Sequence, residues 1–309
     1  IPACQFSVFE HKEGETPQVY AMATQAPKDG SLSRWAWYPK EKGTYSALYP
    51  MSWYEYEGVF HSKLICEQFS PIWAENYQES SYPVALFEWT AHNPTDKPIT
   101  VSIMLTWQNM VGWFTNGAKS SEITMRDDGS PVYEYQPRLG NSTGNYNQWI
   151  KDYHRVGCLM DRVRLYDEIR ESEGQFAIAS VTSPFMEVFY QTRWDATGDG
   201  SDLWDDFAHN GSLRDYEDET PSEPGEQIAT AMAIRFTIPP GKTRKIPFIL
   251  AWDFPITEFA QNVNYYRRYT DFFGRSGKNA WTIVRTALKP AYEWKVKIEA
   301  GQKTIGGWE

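Results

Sequence analysis

Val84-Ala85-Leu86-Phe87-Glu88-Trp89-Thr90-Ala91 is followed by the turn His92-Asn93-Pro94-Thr95-Asp96-Lys97-Pro98. After the turn, Ile99, Val101, Ile103, Leu105 and Trp107 alternate with Thr100, Ser102, Met104 and Thr106. Ala85, Phe87, Trp89 and Ala91 form the matching apolar set before it. A period of two lets a strand bury one face and wet the other, which a helix of the same residues cannot do. Within the stretch Tyr49 to Asn109, this pair reads as two long strands meeting in a tight turn, part of a half-buried antiparallel sheet. The same logic returns later. Ile228, Thr230, Met232, Ile234, Phe236 and Ile238 alternate with alanines, Arg235 and Thr237. The chain then turns at Pro239-Pro240-Gly241-Lys242, and Ile246, Phe248, Leu250 and Trp252 resume the pattern. A second hairpin is expected there.

The other segments attach to these pairs. Gln5 to Phe9 and Gln18 to Ala23 read as short strands, and further strands start near Tyr45, Trp53 and Phe60. Ser70 to Tyr82 is long for a hairpin connection and is expected to cross between two sheets. Asn109 to His154 is the longest irregular stretch. Its Trp113, Phe114, Tyr133, Tyr135, Tyr146 and Trp149 argue for an ordered excursion, because disordered segments are poor in aromatics. Strands resume at Gly157 to Met160, Gln175 to Val181 and Met186 to Arg193, and Ser201 to His209 reads as a helix capped by Ser201. After Asp253 the period becomes helical: Tyr265, Tyr269 and Phe272, then Trp281, Val284, Leu288 and Tyr292, with Pro290 as a kink or restart. The expected fold is mainly β, a large two-sheet antiparallel β-sandwich over residues 1–255 followed by C-terminal linker helices over 256–309.

Composition narrows the function. Of 309 residues 16% are aromatic, more than a core alone needs, and flat amphipathic rings also suit sugar grooves and domain contacts. The net charge of -10, with no basic run longer than Arg267-Arg268, argues against nucleic acid as a partner. Cys4, Cys66 and Cys158 have neither the number for a disulfide framework nor the spacing of a zinc site, which fits reduced thiols in a cytoplasmic protein. No apolar run approaches the roughly 20 residues of a transmembrane helix.

Few residues carry a chemical signal. The acidic pairs Asp205-Asp206 and Glu217-Asp218 read as solvated surface charge, since catalytic carboxylates need burial or close partners. The five histidines show no metal spacing. Asp195, Thr197, Asp199 and Asp206, with Gly200 at the sixth place, match the ligand spacing of a calcium loop; the rival reading is an Asp/Gly turn whose Ser201 caps a helix. Asp206 stands where such loops carry a bidentate Glu, and no helix precedes the segment. No other cofactor is indicated, and no catalytic residue is assigned.

Tyr49-Pro50-Met51-Ser52-Trp53, Cys66-Glu67-Gln68-Phe69-Ser70-Pro71 and Tyr77-Gln78-Glu79-Ser80-Ser81-Tyr82-Pro83-Val84 resemble the N-terminal domain of glycoside hydrolase family 116. Leu250-Ala251-Trp252-Asp253-Phe254-Pro255 and Tyr266-Arg267-Arg268-Tyr269-Thr270-Asp271-Phe272-Phe273-Gly274 resemble the same family's passage out of its sandwich. That is the family of non-lysosomal glucosylceramidase and bile-acid β-glucosidase. The resemblance implies a partner, a C-terminal (α/α)6 catalytic domain of the same parent, acting on a β-glucoside or a glucosylceramide-type substrate with retention. Such chemistry needs two carboxyls about 5 to 5.5 Å apart, and in the family both belong to the solenoid. The family's glycine-rich opening is missing before Ile1, and residues 301–309 depart from its linker. The chain is therefore expected to be a piece of a larger protein, cytoplasmic or peripheral to a membrane. Trp113, Phe114, Tyr146 and Trp149 are candidates for the border of its sugar cleft; the rival reading is that they cement a domain contact. A free-standing carbohydrate-binding β-sandwich module is the alternative from another class.

Overall fold

A computed structural model of the chain describes residues 1–23, 25–113, 124–125, 127–129, 131–132, 142–164, 169–260 and 263–306. Phe114, Tyr133 and Tyr135 lie outside them. The strands are β1 (Gln5–Lys12), β2 (Gln18–Ala21), β3 (Thr44–Leu48), β4 (Met51–Tyr56), β5 (Lys63–Phe69), β6 (Val84–His92), β7 (Ile99–Gln108), β8 (Thr124–Met125) and β9 (Pro131–Val132). They continue as β10 (Asn145–Asp152), β11 (Arg155–Arg162), β12 (Gln175–Val181), β13 (Met186–Asp195), β14 (Ile228–Ile238), β15 (Thr243–Asp253), β16 (Ile256–Ala260) and β17 (Val263–Tyr266). Among the described residues four α-helices accompany them, α1 (Ser201–Asn210), α2 (Thr270–Phe273), α3 (Ala280–Leu288) and α4 (Ala291–Gly306), with one 3-10 turn at Glu79–Ser81.

Two antiparallel sheets dominate, one of five strands in the order β13-β14-β7-β1-β2 and one of eight in the order β10-β11-β12-β15-β6-β5-β4-β3. The expected mainly β architecture is thus present. Its connections differ from the expectation. β6 and β7 do not pair with each other: β6 lies in the eight-stranded sheet beside β15, and β7 in the five-stranded sheet beside β14. Each expected hairpin is an arch that crosses the core, and the two arches stack. Asn93 joins their crowns. Its side-chain amide donates to Lys97 O (2.7 Å) and Ile238 O (2.8 Å), and its backbone N–H donates to Lys242 O (3.0 Å). Conversely, the Ser70 to Tyr82 connection stays within one sheet, since β5 and β6 are neighbours.

The apolar sets read from the alternation do face the core between the sheets. Trp89, Ile103, Met232, Ile234, Phe236 and Phe248 are buried there, with Phe6 edge-on to Trp89 at 5.3 Å. The opposite faces are not wet at the centre. Met104, Ala229, Ala231 and Ala233 are covered by Leu203, Trp204 and Phe207 of α1 and by Leu32 and Trp35 of the connection between β2 and β3. Val84, Leu86, Ile249 and Ala251 are covered by Ile283, Val284 and Ala287 of α3 and by Trp294 and Ile298 of α4. Small alanines recur on these outer faces because a helix must approach the sheet closely to close the gap.

Three local expectations are corrected. Tyr265 stands in strand β17, so the helical stripe beginning there does not form; α2 starts only at Thr270. β10 lies inside the stretch read as irregular. Ser201 is the first helical residue, and Gly200, with φ of 78°, stands at the N-cap. Pro290 does separate α3 from α4.

Candidate functional site

One cluster of buried polar residues lies at the end of the sandwich that holds Asn109, Asn145, Asn147 and Asp161. The Asn109 side-chain amide donates to Tyr146 O (3.1 Å), Asn147 Oδ1 (2.9 Å) and Asp161 O (3.0 Å), while its Oδ1 accepts from the Val111 N–H (3.1 Å). Asn145 Nδ2 donates to Asn109 O (3.1 Å) and Val111 O (3.0 Å), and Asn147 Nδ2 donates to Thr192 O (2.7 Å) in the other sheet. Asp161 accepts from Gln175 Nε2 (2.7 Å) and pairs with Lys278, which ties the segment before α3 to β11. Residues on both sides of the excursion are therefore held by one buried network. Its sequence signal is faint. Asn145 and Asn147 share a strand face, but nothing local says that Asn109 completes the set.

The sequence-predicted cleft residues are distributed over this end. Trp113 is buried, only 3% exposed, and Gly112 beside it donates to Ser172 O (2.9 Å). Phe114 lies outside the described residues. Tyr146 is half-buried; burial, reinforced by the charge of the neighbouring Asp161 carboxylate, pushes its pKa up to about 12. Trp149 stacks on Tyr190, with centroids 4.1 Å apart and planes 7° from parallel. The period of β10 puts Tyr146 and Trp149 on opposite faces. Trp149 packs against the core between the sheets, so one ring face is already taken by Tyr190.

The calcium-loop residues do not converge. Asp195 Oδ1 accepts from the Thr197 N–H (2.9 Å) and hydroxyl (2.7 Å), and Asp199 Oδ1 does the same for Ser201 (2.9 and 2.7 Å). Asp206 is paired with Arg214. Among the described residues no group of three or more His, Cys, Asp or Glu is arranged to hold a metal ion.

Buried carboxylates are engaged elsewhere. Glu10 accepts from the backbone N–H groups of His61 (2.6 Å) and Ser62 (2.9 Å) and from the Ser62 hydroxyl. Asp253 accepts from the Tyr269 hydroxyl (2.8 Å) and the Asn279 N–H (2.7 Å). Glu173 faces Arg164 at 3.8 Å. A surface cavity lined by Pro2, Cys4, Gln5, Gln25, Pro27 and Trp37 contains no carboxyl group or imidazole.

The family model for "beta-glucosidase 2, glycosyl-hydrolase family 116 N-term" matches residues 1–294. The chain belongs to this family. As a family 116 N-terminal domain it carries both stretches of resemblance, from Tyr49 to Val84 and from Leu250 to Gly274, inside the match. Among solved structures it is similar to a chain from the human microbiome assigned as a kojibiose phosphorylase, at 10% identity and a TM-score of 0.37. The similarity covers 97% of this chain and 27% of that one.

Proposed function

We infer that this family 116 N-terminal domain is a non-catalytic scaffold for the C-terminal catalytic domain of its parent protein, a retaining β-glucosidase acting on a β-glucoside or a glucosylceramide-type substrate. The observation that carries this reading is the engagement of the buried carboxylates. Glu10, Asp161 and Asp253 hold backbone N–H groups or side chains of other elements, whereas glycoside hydrolysis needs one ionised and one protonated carboxyl facing the sugar. Helices α3 and α4, which the sequence suggests as a linker, lie on the eight-stranded sheet and bring the chain out along it.

The buried asparagine network supports the second part of the reading, that the aromatic excursion from Trp113 to Trp149 borders the sugar cleft. A loop that touches substrate needs a rigid base, and both of its flanks are fixed. Tyr146 and Trp149 are the described candidates that keep partial access to solvent, and Trp149 has one ring face on Tyr190. The three free cysteines agree with a reducing, cytoplasmic setting, and among the described residues no helix is long and apolar enough to cross a membrane.

Kinetics on the full-length enzyme test this. Tyr146→Ala is expected to alter KM or aglycone preference at unchanged melting temperature; a lower melting temperature with unchanged kinetics would assign Tyr146 to the fold alone. Cleavage of a chromogenic β-glucoside by this chain in isolation would overturn the scaffold reading.

A further inference from the structure

The two large sheets present four edge strands, and on three of them a neighbouring segment makes backbone hydrogen bonds to the outer side, at one or two residues each. Along β2, Ala21 donates its N–H to Ala36 O (2.7 Å) and accepts at its carbonyl from Tyr38 (2.9 Å). Along β13, Thr192 donates to Tyr216 O (3.0 Å) and Tyr216 to Tyr190 O (3.3 Å). At β10, Ser222 donates to Asn145 O (2.8 Å) and its hydroxyl accepts from the Asn145 N–H (2.9 Å). β3 is different. All five of its residues are exposed, and the described contacts on its free side are at its end, where Gln302 donates to Leu48 O (2.8 Å) and Tyr49 O (3.4 Å).

An open strand edge is a template for another extended strand unless it is blunted by charge, proline or a bulge. β3 has none of these. Thr44-Tyr45-Ser46-Ala47-Leu48 is uncharged, and it pairs with β4 in unbroken register. We propose that β3 is an interaction edge that pairs antiparallel with β3 of a second copy of this chain, continuing the eight-stranded sheet across a two-fold axis.

The strand is complementary to itself. Antiparallel pairing about Ser46 sets Tyr45 opposite Ala47 and Thr44 opposite Leu48 of the other copy, large against small with no like charges facing. Tyr45 is 62% exposed, and its ring leans back on Tyr54 of β4 with centroids 6.4 Å apart, which leaves the outer edge of β3 clear. A two-fold contact satisfies both open edges at once and closes, which a one-sided contact with a foreign strand does not. A seam of this length gives a weak, concentration-dependent dimer. The inference stands on the sheet edge alone and does not depend on the catalytic partner.

Sedimentation velocity of the purified chain over roughly 10 to 300 μM, a range suited to a small interface, tests it. The chain is expected to pass from monomer to dimer. Tyr45→Lys/Ala47→Lys should lower the association constant by about tenfold or more, because Lys residues then face each other across the seam. The lysine variant mixed with Tyr45→Glu/Ala47→Glu should recover association as a heterodimer, and that recovery shows that both variants are folded. A monomer across the whole range, or association that the lysine pair leaves intact, would overturn the proposal. Binding in the mixture no stronger than in either variant alone would do the same.

Discussion

Lys295 Nζ lies 2.5 Å from Glu67 Oε2 and 3.2 Å from Glu88 Oε1, joining α4 to β5 and β6 at the heart of the helix-on-sheet contact. Burial alone would lower the lysine pKa, but its hydrogen bonds and charge contacts with the two glutamates outweigh that and raise it. Glu88 shows the converse. Burial pushes its carboxyl up, and Lys245 and Lys295 together bring it below the ordinary value.

Removing the lysine leaves two partly buried carboxylates without their common cation. Lys295→Ala should lower stability by about 2 kcal/mol, somewhat below the range for fully buried pairs. Urea unfolding of the single variant and of Glu67→Gln/Lys295→Met checks this, with the double variant expected to lose less. An equal loss in both would assign the effect to packing of the lysine stem.

Gly200 is a second sensitive point. It adopts φ of 78°, and a Cβ there would come 2.3 Å from Trp35 Nε1, whose N–H donates to Gly200 O at 3.1 Å. Trp35 in turn stacks on Trp204 at 5.0 Å. Gly200→Ala combines left-handed strain with a clash inside this aromatic layer and should cost about 2 to 3 kcal/mol. Thermal unfolding measures it; Gly225→Ala, with φ of 85° and open space around it, supplies the control for strain alone.

Asp253 makes stability depend on pH. Burial raises its pKa above the ordinary 3.8, and the bonds from Tyr269 and Asn279 offset that only in part. A carboxyl with a raised folded-state pKa keeps its proton longer in the folded chain than in the unfolded one. Its contribution is therefore largest below 3.8 and is lost as pH rises through the folded value. The difference in unfolding free energy between wild type and Asp253→Asn should change across that window and level off above it. A pH-independent difference would show that Asp253 does not titrate with folding.

The cysteines should be silent in the folded chain. Burial pushes the Cys4 thiol up to about 11 and Cys158 up to about 12, and raises Cys66 further. A thiol-reactive dye at neutral pH is expected to label Cys66 and Cys158 only after denaturant is added, since the thiolate is the reactive form. Rapid labelling of either in native buffer would contradict their burial.

Calcium is expected to leave the Asp195 to Asp206 segment unchanged. Asp206 is tied to Arg214, and the Asp195 and Asp199 oxygens already accept turn hydrogen bonds. Calorimetric titration of metal-free protein should show no binding heat; a saturable signal lost in Asp199→Asn would reverse this.

Residue alternation made the strands legible. Val84 to Trp107 and Ile228 to Trp252 declare extended chain and an inward face, and the inward sets Trp89, Ile103, Phe236 and Phe248 are buried as their spacing required. The family motifs at Tyr49 to Val84 and Leu250 to Gly274 were equally local. The site was less accessible to sequence reading, because Asn109, Asn145, Asn147 and Asp161 become one network only when strands from both sheets converge.

Hairpin and arch have the same period of two. Whether β6 turns back onto β7 or crosses the core to the other sheet depends on which partner completes its hydrogen bonds, and those partners, β15 and β14, lie far along the chain. The sequence by itself therefore determined which residues are strands and which way they face. The tertiary structure decided which strands pair, that helices cover both outer faces, and that among the described residues no backbone segment bonds to the outer side of β3, because side-chain period is a local property and backbone pairing is not.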